Sequence, residues 1–323
     1  TEEINAMVIP SSCGSVAITT FGASMEGETN PDKIGAVPIS LISHFVSRMA
    51  SPLIISDETR ELYNVNNEEV DGKIKETVSG ALRGKTQALT KPAKETLALW
   101  IKYADNRLNA IFDEISGRGE EAYRQYKDTY LEWLNNRILL SVVFYEGIIA
   151  RDSPEYRRAI NILKRMQEIN NMPYEYPLII VWPRMPTCEI LAATHSTIFI
   201  CSRTLDILAD NAMLALGIFH EAAHIEKRHL EKITRLEAMH SLDYPYRRSV
   251  LDEEELRQEY EADDTAWEWV MKAGYNPNKA IGMFHALLEG YRYDFSPRTL
   301  LDIKKRVSRL KAKISGCLSP TDA

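Results

Sequence analysis

His220 and His224 stand four residues apart in the segment LALGIFHEAAHIEKRHL, which runs from Leu214 to Leu230 and contains the pattern HExxH. On an α-helix, residues four apart share one face, so both imidazoles can point at one cation. Neutral imidazole is a good ligand for zinc. Glu221 is the next residue, turned by about 100° around the helix. From there it can take a proton from a metal-bound water without ligating the metal itself. Leu214, Leu216, Ile218 and Phe219 are apolar, as a buried helix requires. A chain with 7 histidines in 323 residues shows this pattern by accident on the order of once in a hundred chains. A third ligand therefore decides the matter.

A catalytic zinc takes three protein ligands and keeps one position open. The pattern HExxHxxGxxH would supply a third histidine, but Lys227 stands at its Gly position and Leu230 at its last. His229 comes one residue early and, on a continuous helix, points about 140° away from His224. It reads as a solvated helix residue, and His240 as a loop residue. The better candidate is Glu259, in the helical segment ELRQEYEADDTAW from Glu255 to Trp267. Glu259 and Asp263 lie four apart on one face. Glu259 would be the third ligand, and Asp263 would accept the free ring N–H of a ligand histidine, fixing its tautomer. Asp252, Glu253, Glu254, Glu255 and Glu261 read as the acidic, solvated face of the same helix.

These residues need elements to hold them. Residues 1–33 are rich in Ser, Thr, Gly and Pro and read as loosely ordered. From 34 to 150 the pattern is helical, with Leu97, Ile101, Leu108, Ile111, Phe112 and Ile115 at helical spacing. Gly117-Arg118-Gly119 breaks that run, and a second helix fits 120–150. Ser153-Pro154 has the form of a helix start. Short apolar runs at 177–182, 189–193 and 197–201 read as strands. Helices are expected at 205–238, 252–273, 277–290 and 298–314. The composition shift near 150 divides a helical N-terminal region, 1–150, from a second unit, 151–323. The expected class is α+β, mostly helical, with a small sheet.

Over 153–314 the sequence resembles the M48 family of zinc peptidases, the Ste24/HtpX-like group. The pieces appear in family order: HEAAH at 220–224, EYEAD at 259–263 matching the family's ExxxD, AGYNPNKA at 273–280, and TLLDIKKRVSRL from Thr299 to Leu310 at the place of the family's THPPxxxRIxxL. The resemblance implies a zincin-like metallopeptidase domain, one Zn2+ per chain, a protein or peptide substrate, and a gluzincin ligand set of His220, His224 and Glu259. Glu221 would be its general base. The last piece departs from the pattern: Leu300 and Leu301 replace the family's His and Pro, while Arg306 is retained. Arg306 either reaches the site, on the oxyanion or substrate side, or makes a helix salt bridge. Tyr291 and Tyr293 are alternative donors for that role. Relatives pair an extended substrate with an edge strand. Thr197, Ile198, Phe199 and Ile200 are the candidates for it here, the alternative being an internal strand.

A net charge of −7 argues against bulk binding to nucleic acid or to an anionic membrane. The most apolar run, Ile138–Ala150, is too short to span a bilayer and contains Glu146. The chain is expected to be soluble, with its oligomeric state open. Cys13, Cys188, Cys201 and Cys317 show no CxxC spacing, which argues against a cysteine zinc site; two disulfides or four thiols fit equally. No signal peptide stands at Thr1, but no initiator Met does either. The compartment is therefore extracytoplasmic, after loss of a leader, or cytoplasmic. Two other readings compete: an ImmA/IrrE-like regulatory gluzincin, and a zincin scaffold held latent with its cleft occluded by the N-terminal helices.

Overall fold

The computed structural model describes residues 7–9, 16–18, 59, 62–63, 91–146, 149, 153–172, 178–181, 190–193, 197–239, 244–290 and 297–314. Most of them are helical. Near the start, strands β1 (Met7–Ile9) and β2 (Val16–Ile18) pair antiparallel. The rest of the segment read as loosely ordered lies outside the described residues.

Helices α1 (Lys91–Arg118) and α2 (Glu120–Glu146) form a hairpin. The turn is Gly119, at φ 69°, a left-handed conformation that glycine adopts without a Cβ penalty. Partners fall symmetrically about it. Phe112 meets Tyr130, and further out the Arg137 guanidinium donates to Asp105 at 2.7 Å. Trp133 is fully buried in this hairpin, with the Arg107 guanidinium 3.9 Å above its ring.

Helix α3 (Pro154–Asn170) starts as its sequence indicates: the Ser153 hydroxyl accepts the Tyr156 N–H at 3.1 Å, and Pro154 occupies the first turn. Three short strands follow, β3 (Leu178–Val181), β4 (Ile190–Ala193) and β5 (Thr197–Cys201). Their order is β3-β5-β4, with β5 parallel to β3 and antiparallel to β4. Ile200 stands opposite both Ile180 and Ile190. Every residue of β5 is buried. The segment Thr197–Ile200 is therefore the middle of the sheet, which corrects its reading as an edge strand. Strand order is a non-local property, and an apolar run of five residues carries no record of it.

The remaining helices are α4 (Ser202–Ile207), α5 (Asn211–Glu226), α6 (His229–Met239), α7 (Tyr244–Lys272), α8 (Pro277–Ala280), α9 (Gly282–Gly290) and α10 (Pro297–Ile314). The single helix expected over 205–238 is three. Asp210 caps α5, its carboxylate accepting the Ala212 N–H at 2.8 Å. Arg158 of α3 binds the chain ahead of it, donating to the carbonyls of Leu205, Leu208 and Ala209. At the other end of α5, Arg228 takes a left-handed turn at φ 53° before α6 begins.

Helix α5 is the axis of the core. It is buried nearly all round, as expected of a helix apolar on every face. Phe219, Leu214, Ile218 and Ala222 pack among Ile198, Ile200, Leu163, Met166 and Ala266. Full burial of Phe219 is worth about 1.5–3 kcal/mol. Helix α7 ends at a glycine stop: Gly274 sits at φ 71°, and the Tyr275 N–H reaches back to the Val270 carbonyl at 3.1 Å. Asn276 then caps α8, with Pro277 in its first turn. The AGYNP segment thus turns the chain, and Tyr275 lands edge-on against Phe219.

The N-terminal hairpin packs on the C-terminal half. The Tyr123 hydroxyl donates to the Glu231 carbonyl at 3.0 Å, and Lys127 pairs with the Glu231 carboxylate at 2.8 Å. The Arg235 guanidinium binds Glu120. Beyond α2, the Ile149 N–H donates to the Ile180 carbonyl of β3. Among the described residues no helix is long and apolar enough to cross a membrane.

Candidate metal centre

Helices α5 and α7 lie side by side, and each contributes two residues four apart. From α5, the His220 and His224 Nε2 atoms stand 3.0 Å from one another. From α7, one oxygen of Glu259 lies 3.3 Å from His220 Nε2 and the other 3.5 Å from His224 Nε2. His220 is buried, and the side chains of His224 and Glu259 are only 12% and 13% exposed. The three residues form a group that can hold a metal ion. Ligands around a tetrahedral zinc with bonds of 2.0–2.1 Å stand about 3.3 Å apart. The observed spacing fits that requirement, and two imidazoles with one carboxylate are a donor set zinc accepts.

Asp263, one turn beyond Glu259, puts its carboxylate 3.0 Å from His220 Nδ1. If Nε2 faces the metal, Nδ1 carries the ring proton and donates it to Asp263. Burial and the Arg306 charge push the His220 imidazolium down, but hydrogen bonds to Asp263 and Glu259 outweigh them and raise it to about 9. A divalent cation would take the place of that proton. For His224, burial comes first, followed by the charges of His220, His229 and Arg306, and all hold it neutral.

Arg306 comes from α10, which packs against α7. It is buried, and it binds Asp263 through two parallel bonds, Nε to Oδ2 and Nη2 to Oδ1, both 2.7 Å. Its Nη1 lies 2.6 Å from Glu259 Oε2. Burial alone would raise the Asp263 carboxyl, but Arg306 and His220 bring it well below the ordinary range. Of the two roles open to Arg306, it reaches the site, through the carboxylates and through its Nη2, which lies 3.4 Å from His220 Nε2 and 3.5 Å from His220 Nδ1. Leu301 is exposed. Tyr291 and Tyr293 lie outside the described residues, as does His240.

Glu221 is buried on α5 beside His220. His229 is where the sequence reading fails. It is only 2% exposed, its Nδ1 lies 2.8 Å from His224 Nδ1, and its Nε2 lies 3.4 Å from Glu261 Oε2. The expected 140° offset assumed one continuous helix. The left-handed Arg228 ends α5 and swings His229 back against His224. Glu261, taken for part of the solvated face, joins His229 together with Lys227 and Lys232. Lys227-Arg228 contains no glycine, proline or asparagine to mark the break, so the only local signal was a third histidine close behind HExxH.

Cys201, the last residue of β5, is disulfide-bonded, and the other three cysteines lie outside the described residues. No family model matches the chain, and no curated protein matches it.

Proposed function

We propose that the chain is a zinc-dependent endopeptidase of the M48 type, a gluzincin in a zincin-like α+β unit, with proteins or peptides as substrates. The observation that carries this reading is the meeting of three side chains: His220 Nε2 lies 3.0 Å from His224 Nε2 and 3.3 Å from one Glu259 oxygen, and His224 Nε2 lies 3.5 Å from the other, with Glu221 on the same helix as the histidines.

When bound, zinc would polarise a carbonyl and lower the pKa of a water. His220, His224 and Glu259 hold it. Glu221 accepts the water proton and delivers it to the leaving amine, a role its place next to His220 allows. Asp263 keeps His220 in the tautomer that presents Nε2, and Arg306 keeps Asp263 ionised. With β5 internal, β4 is an outer strand of the sheet among the described residues. It is antiparallel to β5 and packs along α5, so an extended substrate would pair with β4.

Glu221→Gln tests the assignment. The variant should bind one zinc per chain and fail to cut an unfolded substrate such as casein. Cleavage at the wild-type rate by that variant overturns the role of Glu221.

The latent reading has one observation behind it. The α1–α2 hairpin docks on α6, the helix that begins with His229. Zinc uptake at one per chain without cleavage of any unfolded protein would favour it.

A further inference from the structure

The Nδ1 of His224 lies 2.8 Å from the Nδ1 of another imidazole, that of His229. His220 meets a carboxylate directly, whereas His224 meets His229, and only then the carboxylate of Glu261. We propose that His229 is a positioning residue for the metal: a neutral acceptor that fixes the tautomer and the ring plane of His224, and is itself oriented by Glu261. This rests on the metal-site reading above and adds a residue to it.

The proton assignments follow from the contacts. If His224 Nε2 faces the cation, its Nδ1 must carry hydrogen, and 2.8 Å away stands His229 Nδ1. Two N–H groups cannot face each other at that distance, so His229 Nδ1 is bare and its proton is on Nε2. That proton points at Glu261 Oε2. The chain of donors runs one way, from the cation outward, and both rings stay neutral. The rings of His224 and His229 meet edge to face, with centroids 4.8 Å apart. His229 is held in place from both sides: the turn at Arg228 aims it at His224, and α6 is gripped two residues later by Tyr123 and Lys127 of the hairpin. Partners that orient metal-ligating imidazoles generally alter metal affinity by about 10–100-fold.

The test uses the full chain and zinc alone. Zinc affinity is measured by competition with a chromogenic chelator for the wild type, His229→Leu and His229→Asn. Leucine fills the space without accepting a proton, and the asparagine carbonyl can accept near the place of Nδ1. The expected result is a loss of about 10–100-fold for leucine and recovery to within a few-fold of wild type for asparagine. A leucine variant that binds zinc as tightly as wild type overturns the proposal, as do two equally weakened variants, which would show packing alone. Should the variants fail to fold, long-range nitrogen–proton spectra of the zinc-loaded wild type decide. The proton of His229 must appear on Nε2, and finding it on Nδ1 overturns the proposal. Wild-type protein that takes up no zinc removes the metal site itself, and the role of His229 with it. Wild-type uptake alongside an unaffected leucine variant removes only the role of His229.

Discussion

Arg306 and Asp263 meet as planar fork on planar carboxylate, two bonds of 2.7 Å in a region closed to water. The same guanidinium touches Glu259. One cation on α10 therefore compensates two carboxylates on α7. Removing one partner of such a buried pair leaves the other unpaired, at a cost of about 3–5 kcal/mol. Arg306→Leu should lose that much stability by chemical denaturation. The loss should shrink when zinc is saturating, because the metal then compensates Glu259. An equal loss with and without zinc would separate Arg306 from the metal site.

Glu259→Ala should cost more zinc affinity than any change at His229. It removes a donor, whereas His229 only orients one, and changes of the second kind are worth about 10–100-fold. A chelator competition that ranks the two the other way would exclude Glu259 as a ligand.

The capping carboxylate of Asp210 gives a pH signature away from the metal. The Ala212 N–H holds its pKa below the ordinary value, burial works against this, and Lys279 adds to it. A carboxyl depressed in the folded chain stabilises the fold above its unfolded pKa, and that contribution fades as pH falls through the folded one. Asp210→Ala should cost about 1 kcal/mol near neutrality. The gap from wild type should close below about pH 4, where the unfolded carboxyl begins to protonate. A gap that stays constant down to acid pH would mean the carboxylate is not the cap.

Gly274→Ala isolates a backbone effect. An added Cβ would meet only Arg165 Nη2, at 3.6 Å, an ordinary contact. What remains is the left-handed φ of 71°, which costs a non-glycine residue about 1–2 kcal/mol. A thermal melt showing no loss would mean the turn relaxes to another conformation.

Much of this site could be read from local pattern, because each half of it sits on one unbroken helix. Spacing of four puts His220 with His224, and Glu259 with Asp263, whatever else the chain does. Stops that depend on residue type were equally legible: Gly119 between α1 and α2, and Ser153-Pro154 at the start of α3. The features that escaped depend on packing. Arg228 adopts a left-handed turn that arginine does not advertise, and with it His229 changes from a solvated side chain to a buried one. The place of β5 between β3 and β4 is a matter of topology. The pairing of Arg306 with Asp263 needed the docking of α10 on α7, which no spacing within either helix encodes.

The three residues that can hold a metal come from two rods that cross the core, and this would give a bound metal a mechanical role. Bonds to His220, His224 and Glu259 together would rivet α5 to α7 at one level, where Arg306 fastens α10 to the same stretch of α7. Any widening between α5 and α7 would then have to strip the cation before it could open the core. Extracting the metal should therefore loosen amide protons along both helices, well beyond the residues that touched it.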